Sequence, residues 1–118
     1  MTDPLPFEIR FSPEFRRRLK RLSKRYRSVR ADLNPIIKSL QAREMLGDQI
    51  SGIDLIVMKV RVKNSDIQKG KSGGYRLIYW RLSNETIVFL DIYSKSDQSN
   101  IDTAEIHQII NRFEEGFE

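Results

Sequence analysis

The stretch YRLIYWRLSNETIVFLDIY, residues 75–93, decides the fold of this sequence. It holds two runs of apolar, branched and aromatic residues, Tyr75–Leu82 and Thr86–Tyr93, and such residues favour β-strands. The runs are separated by Ser83-Asn84, a polar pair that is typical of a tight turn. We therefore predict two strands that are joined by a short turn and paired antiparallel.

Two more strands are predicted upstream of this pair. Basic residues alternate with apolar ones in Leu55–Lys63, and Phe7–Phe11 also alternates, which is the pattern of a half-buried strand. The basic, glycine-rich segment Asn64–Gly74 is predicted to be a loop, and Ala42–Gly52 is interpreted as a connector. The sequence therefore predicts four strands.

Three helices are predicted from apolar residues at helical spacing. The first begins at Pro13, behind Ser12 as its N-cap, and the second begins near Ser28. Asn34-Pro35 either kinks the second helix or restarts it as N-cap and first residue. The short link between these two helices favours an antiparallel hairpin, and a closing helix is predicted within Ile101–Phe113.

The order of these elements predicts an α+β fold. We expect residues 1–118 to form a single domain, with a four-stranded, mostly antiparallel sheet, an N-terminal helical hairpin and a C-terminal helix. The helices are expected to cover one face, to which strict alternation assigns Met58, Val60, Val62, Val88, Leu90 and Ile92. The other face is expected to be open and to carry Lys59, Arg61, Arg76, Asp91 and Tyr93.

The charge is distributed unevenly along the chain. The formal net charge is +5, and residues 14–30 contain nine basic residues against one acid. Residues 102–118 instead carry five acids and one arginine. Such asymmetry favours a polyanionic partner, although a basic helix can also be an ordinary solvated face.

The composition excludes several classes of site. Without cysteine there is no disulfide, thiol nucleophile or cysteine-ligated metal. The one histidine, His107, falls in the predicted last helix, which excludes a histidine-pair ribonuclease, and we expect neither metal nor cofactor. No segment approaches the roughly 20 apolar residues of a membrane span, so we expect a cytoplasmic protein without a membrane partner.

Three motifs carry a resemblance to a known family. They are MKVRV at residues 58–62, GKSGGYRLIY at 70–79 and DIYSKS at 91–96. In this order, behind a basic helical hairpin, they resemble the RelE/ParE superfamily of toxins from type II toxin–antitoxin systems, closest to its RelE-like and HigB-like branches. The resemblance covers nearly the whole chain.

The resemblance implies a RelE-like, microbial-ribonuclease-like fold. It also implies an mRNA interferase, which is a ribosome-dependent endoribonuclease that cleaves mRNA in the ribosomal A site and inhibits translation. The implied partners are a cognate antitoxin, the ribosome and mRNA. A ParE-like gyrase poison of the same fold is an alternative, and so is a catalytically inactive nucleic-acid-binding module.

Candidate catalytic residues are carried over by position. Lys59 and Arg61 match the family's basic pair on the second strand, and Arg76 matches its arginine after Gly-Tyr. Lys95 lies in the basic segment that follows the last strand. One position departs from the pattern, since Asp102 falls near the family's C-terminal tyrosine. Tyr93 is therefore the candidate that supplies a phenol.

The expected chemistry is attack of the ribose 2′-oxygen on the neighbouring phosphate. Arg61 and Arg76 are expected to stabilise the charge that develops. A lysine or Tyr93, with its pKa lowered by neighbouring cations, is expected to take the proton. Because a proper acid–base pair is missing, the ribosome is expected to supply positioning.

Further cations are expected to bind RNA. The loop before the third strand does not have Walker spacing and leads into a strand, so it does not predict a nucleotide triphosphate site. Three RNA-binding candidates lie in and next to this loop: Lys63 at the end of the second strand, and Lys69 and Lys71 within the loop. Four more lie on the first helix and are expected to contact ribosomal RNA phosphates: Arg17, Lys20, Arg21 and Lys24.

Overall fold

A computed structural model of the protein describes residues 4–67 and 73–116. In chain order its elements are β1 (Glu8–Phe11), α1 (Pro13–Arg25), α2 (Val29–Gln41), β2 (Asp48–Gln49), β3 (Val57–Val62), β4 (Tyr75–Arg81), β5 (Thr86–Ser94) and α3 (Thr103–Glu114). The chain is thus α+β, as predicted. None of the helices in these two ranges has the length and apolar character that crossing a membrane requires.

The first helix begins where the sequence predicts. The Ser12 hydroxyl accepts a hydrogen bond from the Phe15 amide at 3.0 Å and donates one to the Leu90 carbonyl at 2.7 Å. The N-cap therefore also ties α1 to β5. In α2 the helix continues through Pro35 as one element, so the alternative in which Asn34-Pro35 restarts it is wrong.

The sheet has five strands in the order β1-β5-β4-β3-β2, one more than predicted. The first pair, β1 and β5, is parallel, and the other neighbouring pairs are antiparallel. The additional strand, β2, lies in the segment that the sequence indicated as a connector. It is only two exposed polar residues long, so it has no apolar alternation to predict it.

A glycine makes the pairing of β2 possible. Gly47 has φ +87°, and a Cβ there would lie 2.4 Å from the Lys59 carbonyl oxygen. The close approach of the backbone to β3 therefore requires glycine at this position. The pairing of Asp48 with Lys59 follows directly after it.

A β-bulge in β5 changes which side chains share a face. Ile78 pairs with Asp91, whereas the next residue, Tyr79, pairs with Phe89, so Leu90 has no partner. A bulge of this kind interrupts the two-residue alternation. Val88 and Leu90 consequently lie on the face opposite the one predicted.

Helices cover both faces of the sheet, which corrects the expectation of a single covered face. The hairpin of α1 and α2 packs on one face, around Val60, Leu77 and Phe89. The closing helix α3 packs on the other, where Trp80 meets Phe113 edge to face at a centroid distance of 6.3 Å. Only the part of the second face beyond α3 is left for a site.

Candidate nucleic-acid interface

Three residues form a line across the strands on the second face, where Arg61 is exposed and Arg76 and Tyr93 are buried. Arg61 of β3 is the direct partner of Arg76 of β4, and Arg76 is the direct partner of Tyr93 of β5. Direct cross-strand partners project from the same face, with neighbouring strands about 4.8 Å apart. We call Arg61, Arg76 and Tyr93 the cross-strand row. Alternation correctly predicted that they share a face.

The two arginines of the row have no acidic partner among the described residues. Arg76 is 8% exposed, and its Nη1 donates to the carbonyl oxygens of Tyr75 at 3.2 Å and Gly73 at 3.4 Å. Arg61 is exposed. Neither forms an ion pair within the part of the chain that the structure describes. Like charges directly opposite each other on a sheet lower its stability, and an anion bound between these two side chains would offset their repulsion.

The Gly73-Gly74 pair positions Arg76. Gly74 has φ +75°, and a Cβ there would lie 2.6 Å from the Val62 carbonyl oxygen, so the chain enters β4 only with glycine at this place. The Gly74 carbonyl accepts a hydrogen bond from the Lys95 amide at 3.0 Å. The glycines of the GGYR motif therefore bring the end of β3, the start of β4 and the end of β5 together.

Tyr93 is buried beside these cations. It is 1% exposed, and its hydroxyl has no hydrogen-bond partner among the described residues. Burial raises the pKa of Tyr93, Arg76 opposes this shift and Asp91 adds to it. The expectation that neighbouring cations lower the pKa of Tyr93 is therefore wrong, because desolvation outweighs the single nearby guanidinium. The phenol stays protonated and is suited to donate.

The lysines of the predicted site surround the row. Lys59 lies on β3 two residues before Arg61, and its Nζ donates to the Asn100 Oδ1 at 3.3 Å. Lys63 directly follows β3 in the chain and is exposed, and Lys95 directly follows β5 and is half-buried. The predicted RNA-binding residues Lys69 and Lys71 lie outside the described residues.

The four predicted cations of the first helix are all exposed on α1. Arg17 lies 3.8 Å from Glu14 of the same helix. The other three form no ion pair with the described residues, and they are Lys20, Arg21 and Lys24. They are available to an external polyanion.

Asp91 shares the face of its partner Ile78, as alternation predicted, but it is buried and not open as expected. At the bulge it is buried, its Oδ1 accepts from the Ile92 amide at 2.9 Å, and it lies 3.7 Å from the Arg18 Nε of α1. Burial raises the pKa of Asp91 to about 6, against the lowering effects of Arg18 and the Ile92 amide. The same Arg18 lies 3.9 Å from Glu105 of α3, so Asp91 sits where both helices meet β5.

The arrangement offers no metal centre in residues 4–67 and 73–116, where no group of three or more histidine, aspartate or glutamate side chains is placed to hold an ion. His107 is exposed on α3, and Asp102 is the N-cap of the same helix.

The fold and the row define an α+β protein in which two cations, without an acidic partner among the described residues, lie beside a buried phenol on a sheet face. The sequence model of the family described as "RelE toxin of RelE / RelB toxin-antitoxin system" matches residues 16–113. The chain therefore belongs to the RelE toxin family, as the resemblance predicted, and is the toxin of a toxin–antitoxin system with an antitoxin as its partner. No curated protein matches the chain.

Proposed function

We propose that this toxin is a metal-independent endoribonuclease that cleaves mRNA on the ribosome and so stops translation in the cytoplasm. The observation that carries the proposal is the direct pairing of Arg61 with Arg76, without a carboxylate for either among the described residues. Two adjacent guanidinium groups match the charge and geometry of a phosphodiester. Toxins of this family are generally endoribonucleases.

The reaction begins with attack of the ribose 2′-oxygen on the adjacent phosphorus. A 2′,3′-cyclic phosphate forms, the bond to the 5′-oxygen breaks, and that oxygen takes up a proton. Arg61 and Arg76 stabilise the extra negative charge of the phosphorane, each by about 2–4 kcal/mol. Their cross-strand placement lets them contact different oxygens of one phosphate.

Tyr93 is the proton donor of this scheme. Its burial keeps the phenol protonated, and its hydroxyl is not engaged by any of the described residues. Lys59 and Lys95 flank the row and are the candidates for taking the 2′-proton in their neutral form. Both steps need a substrate that is held in place, and the ribosome supplies this positioning.

The exposed cations of α1 serve a different purpose. Arg17, Lys20 and Lys24 lie away from the row on a helix that covers the other face of the sheet. We assign them to ribosomal RNA phosphates, which such side chains bind without sequence preference.

The experiment is primer extension on mRNA from cells after brief induction of the toxin. Cleavage at discrete positions within translated mRNA is expected for the protein, and it should be lost in the Arg61→Ala and Arg76→Ala variants. Since Arg76 is mostly buried, thermal unfolding must show that its variant is folded. Growth arrest with intact mRNA and damaged or relaxed DNA would instead establish a gyrase poison. Binding to ribosomes without any cleavage would establish a binding module.

A further inference from the structure

A cavity opens between α1 and the end of β5. Its volume is about 310 Å³, which is room for a phosphate group with several waters, since a water occupies about 30 Å³. Its charged and polar lining comes from both elements and from the segment behind β5: Arg18, Arg21, Arg25, Tyr93, Asp97 and Gln98. We call it the α1 cavity.

The α1 cavity has an excess of positive charge. Arg25 donates to the Asp97 Oδ2 at 2.8 Å, so these two charges offset each other. Arg21 forms no hydrogen bond or ion pair with the described residues. Arg18 lies near Asp91 and Glu105, so Arg21 is the lining guanidinium without an acidic partner among the described residues, and it suits the cavity to an anion.

One of the three arginines is held in place before any ligand arrives. Arg18 donates to the Gln98 Oε1 at 3.1 Å and lies 3.7 Å from the buried Asp91. A side chain that is already ordered loses little conformational entropy when it binds. Its position at the cavity wall is therefore fixed by the fold.

The α1 cavity continues the cross-strand row. Tyr93 lines the cavity and is also the direct partner of Arg76. The row runs across the strands, and β1 pairs with β5 only as far as Phe89, so at Tyr93 no strand formed by the described residues lies outside β5. A nucleic-acid strand that follows the row therefore passes the edge of the sheet and reaches α1.

We propose that the α1 cavity is a phosphate subsite for the RNA strand that is cleaved, taking a phosphodiester next to the one held in the row. The identity of the strand rests on the proposed function. Arg21 lines the cavity, whereas its neighbours Lys20 and Lys24 on α1 do not. Arg21 then contacts mRNA rather than ribosomal RNA.

The test measures binding without the ribosome. The probes are 2′-O-methylated trinucleotides, which cannot be cleaved, each made with and without an additional terminal phosphate at either end. Calorimetry with the full chain gives the affinity gained from that phosphate. We expect Arg21→Ala to abolish a gain of about tenfold, the size of a charge-assisted hydrogen bond.

Two further variants act as control and counter-test. Arg30→Ala removes the same charged side chain from an exposed position of α2 that does not line the cavity, and it should leave the gain unchanged. Asp97→Asn releases Arg25 from its ion pair, and it should increase the gain. The substitutions replace exposed side chains, so the fold should persist.

Three outcomes would overturn the subsite. One is an equal loss in Arg21→Ala and Arg30→Ala, which would indicate general charge attraction. Another is the absence of any gain from the additional phosphate in the unsubstituted protein. The third is a loss of antitoxin affinity, but not of trinucleotide affinity, in Arg21→Ala, which would make the cavity a carboxylate site for the partner. Primer extension separately decides whether mRNA is cleaved, so failure of the subsite and failure of the proposed function remain distinguishable.

Discussion

Arg18 of α1 lies 3.7 Å from the buried carboxylate of Asp91, at the bulge of β5. The other carboxylate oxygen of Asp91 has no hydrogen-bond partner among the described residues. One ion pair at this distance and one amide do not compensate for full burial, and this is why the pKa of Asp91 is raised to about 6. Glu105 and Glu14 contribute to this rise.

This relationship predicts a pH dependence of stability. The pKa of Asp91 is 3.8 in its ordinary state and about 6 in the fold, so the unfolded chain releases the proton first. The protonated Asp91 side chain therefore contributes its full stabilisation of the fold below pH 3.8, and this contribution is lost as the pH rises to about 6. The free energy of unfolding should fall across this window by up to about 3 kcal/mol from this group. Urea unfolding at a series of pH values measures it.

The Asp91→Asn variant should remove this fall, because its side chain does not ionise. Asp97→Asn is the matched control, since Asp97 is an exposed carboxylate of the same type, and it should keep the fall. Parallel pH curves for the protein and Asp91→Asn would contradict the raised pKa.

The bulge also explains which part of the fold the sequence could not predict. Alternation works for β3 and β4, because every residue of β3, including Arg61 opposite Arg76, has one partner on β4. It fails for Val88 and Leu90, because a residue without a partner leaves no trace in a pattern of apolar side chains. The sequence therefore predicted the cross-strand row correctly but placed Val88 and Leu90 on the wrong side.

A second prediction concerns the entry into β4. Gly74 and Gly52 both have positive φ, of +75° and +84°, but only at Gly74 would a Cβ meet the backbone. Gly52→Ala should cost about 1–2 kcal/mol for its conformation alone. Gly74→Ala should cost clearly more and should also displace Arg76, which lowers cleavage. Chemical unfolding of both variants gives the difference, and equal costs would show that the close approach to Val62 has no energetic weight.

A third prediction follows from the like charges of the row. Arg61→Ala removes one of two opposed guanidinium groups, so the free energy of unfolding should stay constant or rise by about 0.2–1 kcal/mol. Cleavage of mRNA should fall by a factor of about 30 to 1,000, because transition-state charge loses about 2–4 kcal/mol of stabilisation. Thermal unfolding and primer extension give the two quantities. A variant that is both destabilised and fully active would show that the cross-strand row takes no part in the reaction.

A fourth prediction concerns the ribosome. Changing Lys20 and Lys24 to glutamate should weaken binding to ribosomes, and the salt dependence of the affinity should become shallower. Each lost phosphate contact lowers the slope of log K against log salt by about 0.7–0.9. The same change at Arg30 and Lys38, which are exposed on α2, is the control. Equal effects of the two sets would mean that net charge, and not the surface of α1, determines the affinity.

The side of the sheet that α3 covers was also beyond the sequence. The apolar residues of α3 predict a buried face, but they fit either side of a sheet whose two faces are both apolar. The choice is made by long-range contacts, such as those of Trp80 with Phe113 and of Arg112 with Glu14. These join residues far apart in the chain, and periodicity does not report on them.

The last prediction concerns capture by the antitoxin. A toxin of this family has such a partner. The arginines of the cross-strand row have no acidic partner among the described residues, so an acidic segment would approach them first. Attraction between opposite charges raises the association rate more than it lowers the dissociation rate. Arg61→Glu should therefore slow association with the purified antitoxin at least about tenfold at low salt, and the difference should shrink as salt is added. Arg30→Glu, with the same change of charge on α2, is the control for net charge. Surface kinetics at several salt concentrations measure both variants, and equal association rates would show that the antitoxin binds elsewhere and leaves the cross-strand row uncovered.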